Sequence, residues 1–183
     1  MSNDSRRFTG LIEPHLEALF RTAYRLARNR ADAEDLVQET CIRAYVRLGE
    51  LREREPVKAW LLRVLHNVFL DGARRARRSP IARSEDSTDL AASTASSDPT
   101  PEESACTAQR EERLHRAWLA LDRGHRALLA LRAEGYTVGE IAEITGIAPD
   151  ALNMRLYRAR QSLARHLDEQ PALAHPIRME IAK

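Results

Sequence analysis

The sequence predicts an all-α protein built as two small helical domains joined by a flexible linker, and three observations carry that prediction. Only 7 Gly and few aromatics stand against abundant Ala, Leu, Arg and Glu in 183 residues, a helix-forming composition. Composition shifts abruptly near Ser79, and from there to about Ala105 the chain is rich in Ser, Thr, Asp and Pro with almost no large apolar group. Such a segment buries too little to offset its ordering entropy, so it reads as a tether. Finally, Thr137 to Arg160, TVGEIAEITGIAPDALNMRLYRAR, has the parts of a helix-turn-helix.

In chain order, Leu16, Leu19, Phe20, Ala23, Tyr24 and Ala27 line one face of a first long helix, which a polar break at Asn29 and Arg30 ends. A second helix runs from about Ala31 to Leu48, with Leu36, Val37, Cys41, Ala44, Tyr45 and Leu48 as its apolar stripe. Gly49 to Glu55 is a charged loop, and Pro56 suits a first helical position. A third helix follows from about Val57 into an arginine-rich stretch, with Trp60, Leu61, Val64, Leu65 and Val68 as its buried stripe. Trp60 and Phe69 serve either as core or as support for an unstacked base, core being the plainer reading for Trp60.

Beyond the tether, a helix from about Pro101 to Leu121 buries Leu114, Trp118 and Leu121, and a second spans about Gly124 to Glu134 before Gly135. In the helix-turn-helix, Ile141, Ala142 and Ile144 face inward, and Gly146 supplies the left-handed residue of the turn. Ile147 tucks beneath it, Pro149 opens the recognition helix, and Leu152 and Leu156 resume the apolar stripe. The tail after about Glu169 holds Pro171 and Pro176 and reads as frayed.

With 43% hydrophobic and 31% charged residues the chain can fold under a heavily ionised surface, but a net charge of +2 makes no case for nucleic acid by itself. The distribution makes it. Asp150, Asn153, Met154, Arg155 and Arg158 remain on or near the outer face of the recognition helix, where arginine reaches phosphate or guanine and asparagine pairs with adenine. Arg74, Arg75, Arg77 and Arg78 form a cationic strip that either contacts phosphates or complements a solvated helix end. Upstream, Arg63, His66 and Asn67 alternate with the buried stripe and are free to face a ligand. The acidic cluster Asp32, Glu34, Asp35 and Glu39 has no partner histidine for a metal; docking of Asp35, Gln38 and Glu39 to a protein and plain solvation explain it about equally.

Cys41 and Cys106 lie far apart without metal-ligand spacing and read as reduced thiols of a cytoplasmic protein. No apolar run approaches membrane-spanning length, and no signal-peptide core opens the chain. No phosphate loop, activated nucleophile or metal-spaced pair appears, so neither an enzyme nor a cofactor is expected.

Taken in series, ADAEDLVQETCIRAY (Ala31 to Tyr45), KAWLLRVLHNVFLDGARR (Lys58 to Arg75) and the helix-turn-helix resemble an extracytoplasmic-function (ECF) sigma factor of bacterial RNA polymerase, over about Leu16 to Leu167. The resemblance implies sigma region 2 over 8–78, a linker over 79–105, region 4 over 106–168 and a tail over 169–183. It implies a region 2 bundle of three or four helices and a region 4 domain of four. It further implies that Asp35, Gln38 and Glu39 dock on the polymerase clamp, with the flap as a further contact. The 49–55 loop would capture a base of the −10 element, and Arg63, Asn67 and Arg74 to Arg78 would hold the strand beside it. Asn153, Met154 and Arg155 would read the −35 element, with Arg158 on phosphate. An anti-sigma factor is an implied partner that no residue identifies.

The chain departs from the family pattern where Asp122 follows Leu121 in place of a Leu-Pro pair, and where Leu152, Asn153 and Met154 replace Val-Lys-Ser. The second change is expected to alter base preference rather than abolish binding. The rival readings are a stand-alone helix-turn-helix regulator and a protein-interaction adaptor. A promoter-dependent transcript made with core polymerase separates the first of them from a sigma factor.

Overall fold

The structure is a computed structural model that describes residues 3–51, 55–78 and 101–169. It contains α1 (Asn3–Ile12), α2 (Leu16–Ala27), α3 (Arg30–Val46), α4 (Val57–Arg78), α5 (Pro101–Ala120), α6 (Arg123–Ala133), α7 (Val138–Thr145) and α8 (Pro149–Asp168), and no strand among the described residues. Residues 79–100 of the expected tether and the tail beyond Glu169 lie outside the described residues, and helix begins at Pro101.

The sequence reading does not place α1. Its Phe8 and Ile12 are buried one turn apart, and the Phe8 ring meets the Tyr45 edge at 5.2 Å. The expected break between α2 and α3 narrows to Arg28 and Asn29. Arg28 takes the left-handed conformation (φ +61°) and donates its N–H to Tyr24 O at 2.7 Å. Asn29 caps α3 by accepting the Asp32 N–H at 2.8 Å.

Small side chains set the α2–α3 contact. Ala23, Ala33 and Ala44 are fully buried, together with Thr22 and Thr40. The two hydroxyls are satisfied within their own helices, Thr22 Oγ1 on Ala18 O at 2.9 Å and Thr40 Oγ1 on Leu36 O at 2.7 Å. Self-satisfied in this way, a threonine behaves as a small branched apolar residue.

In α4 the expected stripe of Trp60, Leu61, Val64, Leu65 and Val68 is buried, but so are Leu62, His66 and Phe69. Its middle turns are covered on two sides, with α2 and α3 packed on one and α6 and α7 on the other, while Asn67 stays exposed between them. His66 is therefore not free to face a ligand: it is 9% exposed and its Nδ1 has no hydrogen-bond partner.

α5 buries Ala117, and Leu121 just past its end packs with Leu129 of α6 and Ala159 of α8, with Trp118 partly covered. Leu114, expected inside, is 40% exposed. It is Arg113, one residue earlier, that turns to α8, donating through Nε to Leu167 O at 2.9 Å. Asp122, the family departure, caps α6 by accepting the Gly124 N–H at 2.8 Å. Thr137 and Glu140 form a reciprocal capping box on α7, and these bonds hold the Glu140 carboxyl below its usual range. Gly146 at φ +70° makes the turn and donates to Ala142 O at 2.8 Å, and Pro149 opens α8.

One apolar core runs through both modules. Leu26, Leu61 and Leu65 belong to the same cluster as Ala127, Leu131, Ile141, Leu152 and Leu156. A smaller cluster of Leu121, Leu129 and Ala159 holds α5 against α6 and α8.

Candidate nucleic-acid and docking interface

On α3, Asp35 and Gln38 are exposed, while Glu39 is half-buried. Glu39 accepts from Arg43 Nε at 2.7 Å, and Arg43 Nη1 reaches Asp71 on α4 at 3.0 Å. Glu39 thus tethers α3 to α4 through a shared arginine as well as edging the outer face. Turning about 100° per residue, a helix brings positions 35, 38, 39, 42 and 46 onto one side. Ile42 and Val46 on that side are 61% and 80% exposed, and Tyr45 is 43% exposed beside them. The sequence reading misses Ile42 and Val46 and counts Tyr45 as core. The signal is present: two large apolar residues off the buried stripe, four apart and continuous with the acidic face, mark a docking surface.

Arg63 and Asn67 sit one turn apart on α4. Asn67 is exposed, and Arg63 pairs with Glu55, whose side chain is only 12% exposed. Both line an open cleft of about 950 Å³ whose opposite wall is the end of α7 and the turn, with Glu143, Thr145, Gly146 and Ile147. The structure thus brings Arg63 and Asn67 together but turns them toward the helix-turn-helix. Arg74, Arg75, Arg77 and Arg78 occupy helical positions in the last turns of α4, and their side chains lie outside the described residues, as do residues 52–54 of the charged loop.

On α8, Leu152, Leu156 and Ala159 are buried, and Asp150, Asn153, Met154, Arg155 and Arg158 are all exposed. Asp150, Asn153, Met154 and Arg158 share the outer face, and Arg155 stands on its flank. Tyr157, 55% exposed, lies at the centre of this face and accepts from Gln161 Nε2 at 2.6 Å. It is not among the expected contacts, although its spacing from Asn153 and Met154 points there. Asp150 sits in the first turn, where a carboxylate complements the helix N-terminus.

Two family models match this chain: Sigma-70 region 2 over residues 11–79 and Sigma-70 region 4 over residues 111–163. The ECF RNA polymerase sigma factor SigM of Mycobacterium tuberculosis is 32% identical over 168 residues, covering 91% of this chain and 80% of SigM. The chain belongs to the ECF RNA polymerase sigma factors. It binds RNA polymerase and promoter DNA and directs promoter-specific transcription. This sigma factor is also 24% identical to SigW of Bacillus subtilis over 170 residues, 90% of each chain. Among solved structures it resembles the sigma factor RpoE in complex with the anti-sigma factor NepR from Bartonella quintana. That match has a TM-score of 0.62 and 25% identity, and covers 89% of this chain and 98% of RpoE. It likewise resembles CnrH in complex with the cytosolic domain of CnrY, with a TM-score of 0.60 and 25% identity over 91% and 90% of the two chains.

No described helix is long and apolar enough to cross a membrane, and no group of three His, Cys, Asp or Glu residues among the described ones is arranged to hold a metal ion.

His66 gives the sigma factor a pH dependence. The imidazole lies against a cavity of about 10 Å³ walled by Thr22, Leu26, Leu62, Leu65, Ala127 and Leu131, none of them charged. Burial pushes it below the ordinary histidine range, with the Asn67 side chain a weaker opposing influence. The unfolded chain therefore takes up a proton near pH 6.5 that the folded chain resists, so stability is full above that pH and falls as pH drops below it. Denaturant melts should show stability falling between pH 7.5 and 5.5, by at most about 1.4 kcal/mol per pH unit for this one proton. His66→Leu should flatten the slope in part, because His115, also lowered by burial, contributes with the same sign.

Proposed function

We propose that the chain divides its work as region 2 over 8–78, tether over 79–105 and region 4 over 106–168. Asp35, Gln38 and Glu39, extended by Ile42, Tyr45 and Val46, form the surface that meets the polymerase clamp, and region 4 meets the flap. Arg63, Asn67 and the positions Arg74, Arg75, Arg77 and Arg78 hold the opened strand of the −10 element. Asp150, Asn153, Met154, Arg155 and Arg158, with Tyr157 among them, face the −35 element in the major groove. The observation that carries this reading is the polar, arginine-bearing outer face of α8 opposite a fully buried stripe, on a helix set by a glycine turn.

The protein works in the cytoplasm, performs no reaction of its own and requires no cofactor. Docking on polymerase fixes the separation of its two domains, so the second DNA contact becomes effectively intramolecular. RpoE was captured with the anti-sigma factor NepR and CnrH with the cytosolic domain of CnrY, and the first of these supports an anti-sigma partner for this chain as well.

Sequencing the transcripts that appear on overproduction gives the promoters, and run-off transcription from them with core polymerase tests the assignment. Absence of any promoter-dependent transcript overturns it. On such a promoter, Arg155→Ala with Arg158→Ala should weaken binding and flatten the salt dependence by about one slope unit for each phosphate no longer neutralised. Asn153→Ala should instead relax selection at one base pair, at a cost of about 1–3 kcal/mol.

A further inference from the structure

We propose that Met154 and Tyr157 select the upstream element of this sigma factor's promoters by gripping the 5-methyl groups of thymine in the major groove. The inference rests on the reading of α8 as the helix that faces the −35 element. It deepens that reading by naming the base, the group on it and the two side chains that choose it.

The layout of α8 supports it. Turning about 100° per residue, the helix sets Met154 nearly opposite the buried stripe of Leu152, Leu156 and Ala159, with Tyr157 about 60° to one side of it. The crown of the helix is therefore apolar. Met154 is 52% and Tyr157 55% exposed, and one turn separates them, near enough for both to close on a single group. The cations stand away from it: Arg155 and Arg158 lie on one side, and Arg160 lies beyond Asn153 on the other, all of them exposed. A helix laid in the major groove turns its crown to the base edges and its flanks to the two phosphate walls. The arginines thus hold the protein in register through phosphate, which carries no sequence, and the apolar pair is left on the bases. Asp150, one turn earlier on the same ridge, can only accept, so a cytosine amino group is its natural partner.

An apolar pair distinguishes one base from the other three. Guanine, adenine and cytosine present hydrogen-bonding groups in the major groove, whereas thymine adds a methyl. Methionine is unbranched and its thioether shapes itself to a small apolar group. Tyr157 is braced, since its hydroxyl accepts from Gln161 Nε2 at 2.6 Å one turn further on, and the hydroxyl hydrogen is left to donate to a phosphate or a base. Asn153, beside Tyr157, suits the N6 and N7 edge of adenine. Methyl-gripping and adenine-reading side chains on adjoining positions make A·T pairs the ones that α8 selects, rather than the guanine edges an arginine would read. The departure from the family pattern falls on these residues, with Asn153 and Met154 standing in place of Lys and Ser.

Removing one methyl at a time tests this on the holoenzyme formed from the full chain and core polymerase. On a promoter found by sequencing the transcripts made on overproduction, each thymine of the −35 element is replaced singly by uracil, which keeps the base pair and the O4 acceptor. At one or two positions the wild type should bind the uracil duplex about fourfold more weakly, the effect expected for burial of one methyl group. Met154→Ala and Tyr157→Ala lie at exposed positions and should keep the wild-type thermal midpoint. Each should bind the thymine duplex more weakly and lose the discrimination, the ratio falling to about one, while Met154→Leu should retain it. Equal binding of thymine and uracil at every position by the wild type, full discrimination in either alanine variant, or an element without an A·T pair overturns the inference. Arg155→Ala with Arg158→Ala separates it from the reading beneath. If α8 does not face the element, that variant binds with unchanged affinity and salt dependence. If only the choice of base is wrong, the arginine effect stands and the uracil ratios are about one throughout.

Discussion

Alanine at Asp35, Gln38 and Glu39 together should abolish promoter-dependent run-off transcription, with at least about a hundredfold loss in polymerase affinity and little change in helical content. Truncating charged groups at the centre of a docking face typically costs about 2–5 kcal/mol, much of it from partner charges left buried without a counter-ion. Asp35 and Gln38 are exposed and can be removed without disturbing the fold. Glu39 is the one with an internal role, yet Arg43 keeps Asp71 as its second partner when Glu39 is removed, so the α3–α4 contact survives. Ile42→Ser with Val46→Ser should add to the loss without destabilising the monomer, since both side chains are exposed. A triple variant that binds polymerase normally in a pull-down places the docking surface elsewhere.

Leu152→Ala should be the most damaging single change to stability. Leu152 is fully buried where α8 meets the shared core, and Leu→Ala at such sites costs about 2–5 kcal/mol. At roughly 2–4 °C per kcal/mol for a chain of this size, the thermal midpoint should drop by about 4–20 °C. The form of the melt matters as much as the shift. With region 2 and region 4 sharing one core, a substitution in α8 should lower the unfolding of α2 to α4 as well. Two separate transitions, only one of them moved, would mean that the modules melt independently.

The helices are legible because their apolar stripes are regular and their ends carry chemical punctuation: Asn29 before α3, Gly146 and Pro149 around the turn. α1 is not, because NDSRRFTGLI holds only Phe8, Leu11 and Ile12 as large apolar groups and carries a glycine within its span. Of the candidate site, the outward face of α8 and the exposure of Asp35 and Gln38 can be read directly, since a polar group opposite a stripe can only point outward. Ile42 and Val46 stand off the α3 stripe, and the spacing within one helix does not say whether a neighbouring helix covers them. The pairing of the two modules is hidden for a related reason. Each stripe finds a match in its own domain, while the doubled positions Leu61–Leu62, Leu65–His66 and Val68–Phe69, which fit a helix covered on two sides, pass for a single stripe.

The burial of α4 on two sides bears on how well the protein should withstand proteases. A helix whose two sides are core while the modules are packed exposes one of them, with the facing Ala127, Leu131 and Ile141, whenever region 4 swings away. Once open, that surface offers proteases and aggregation partners an apolar handle. Chains whose two modules stay packed should therefore resist proteolysis longer than chains in which they part.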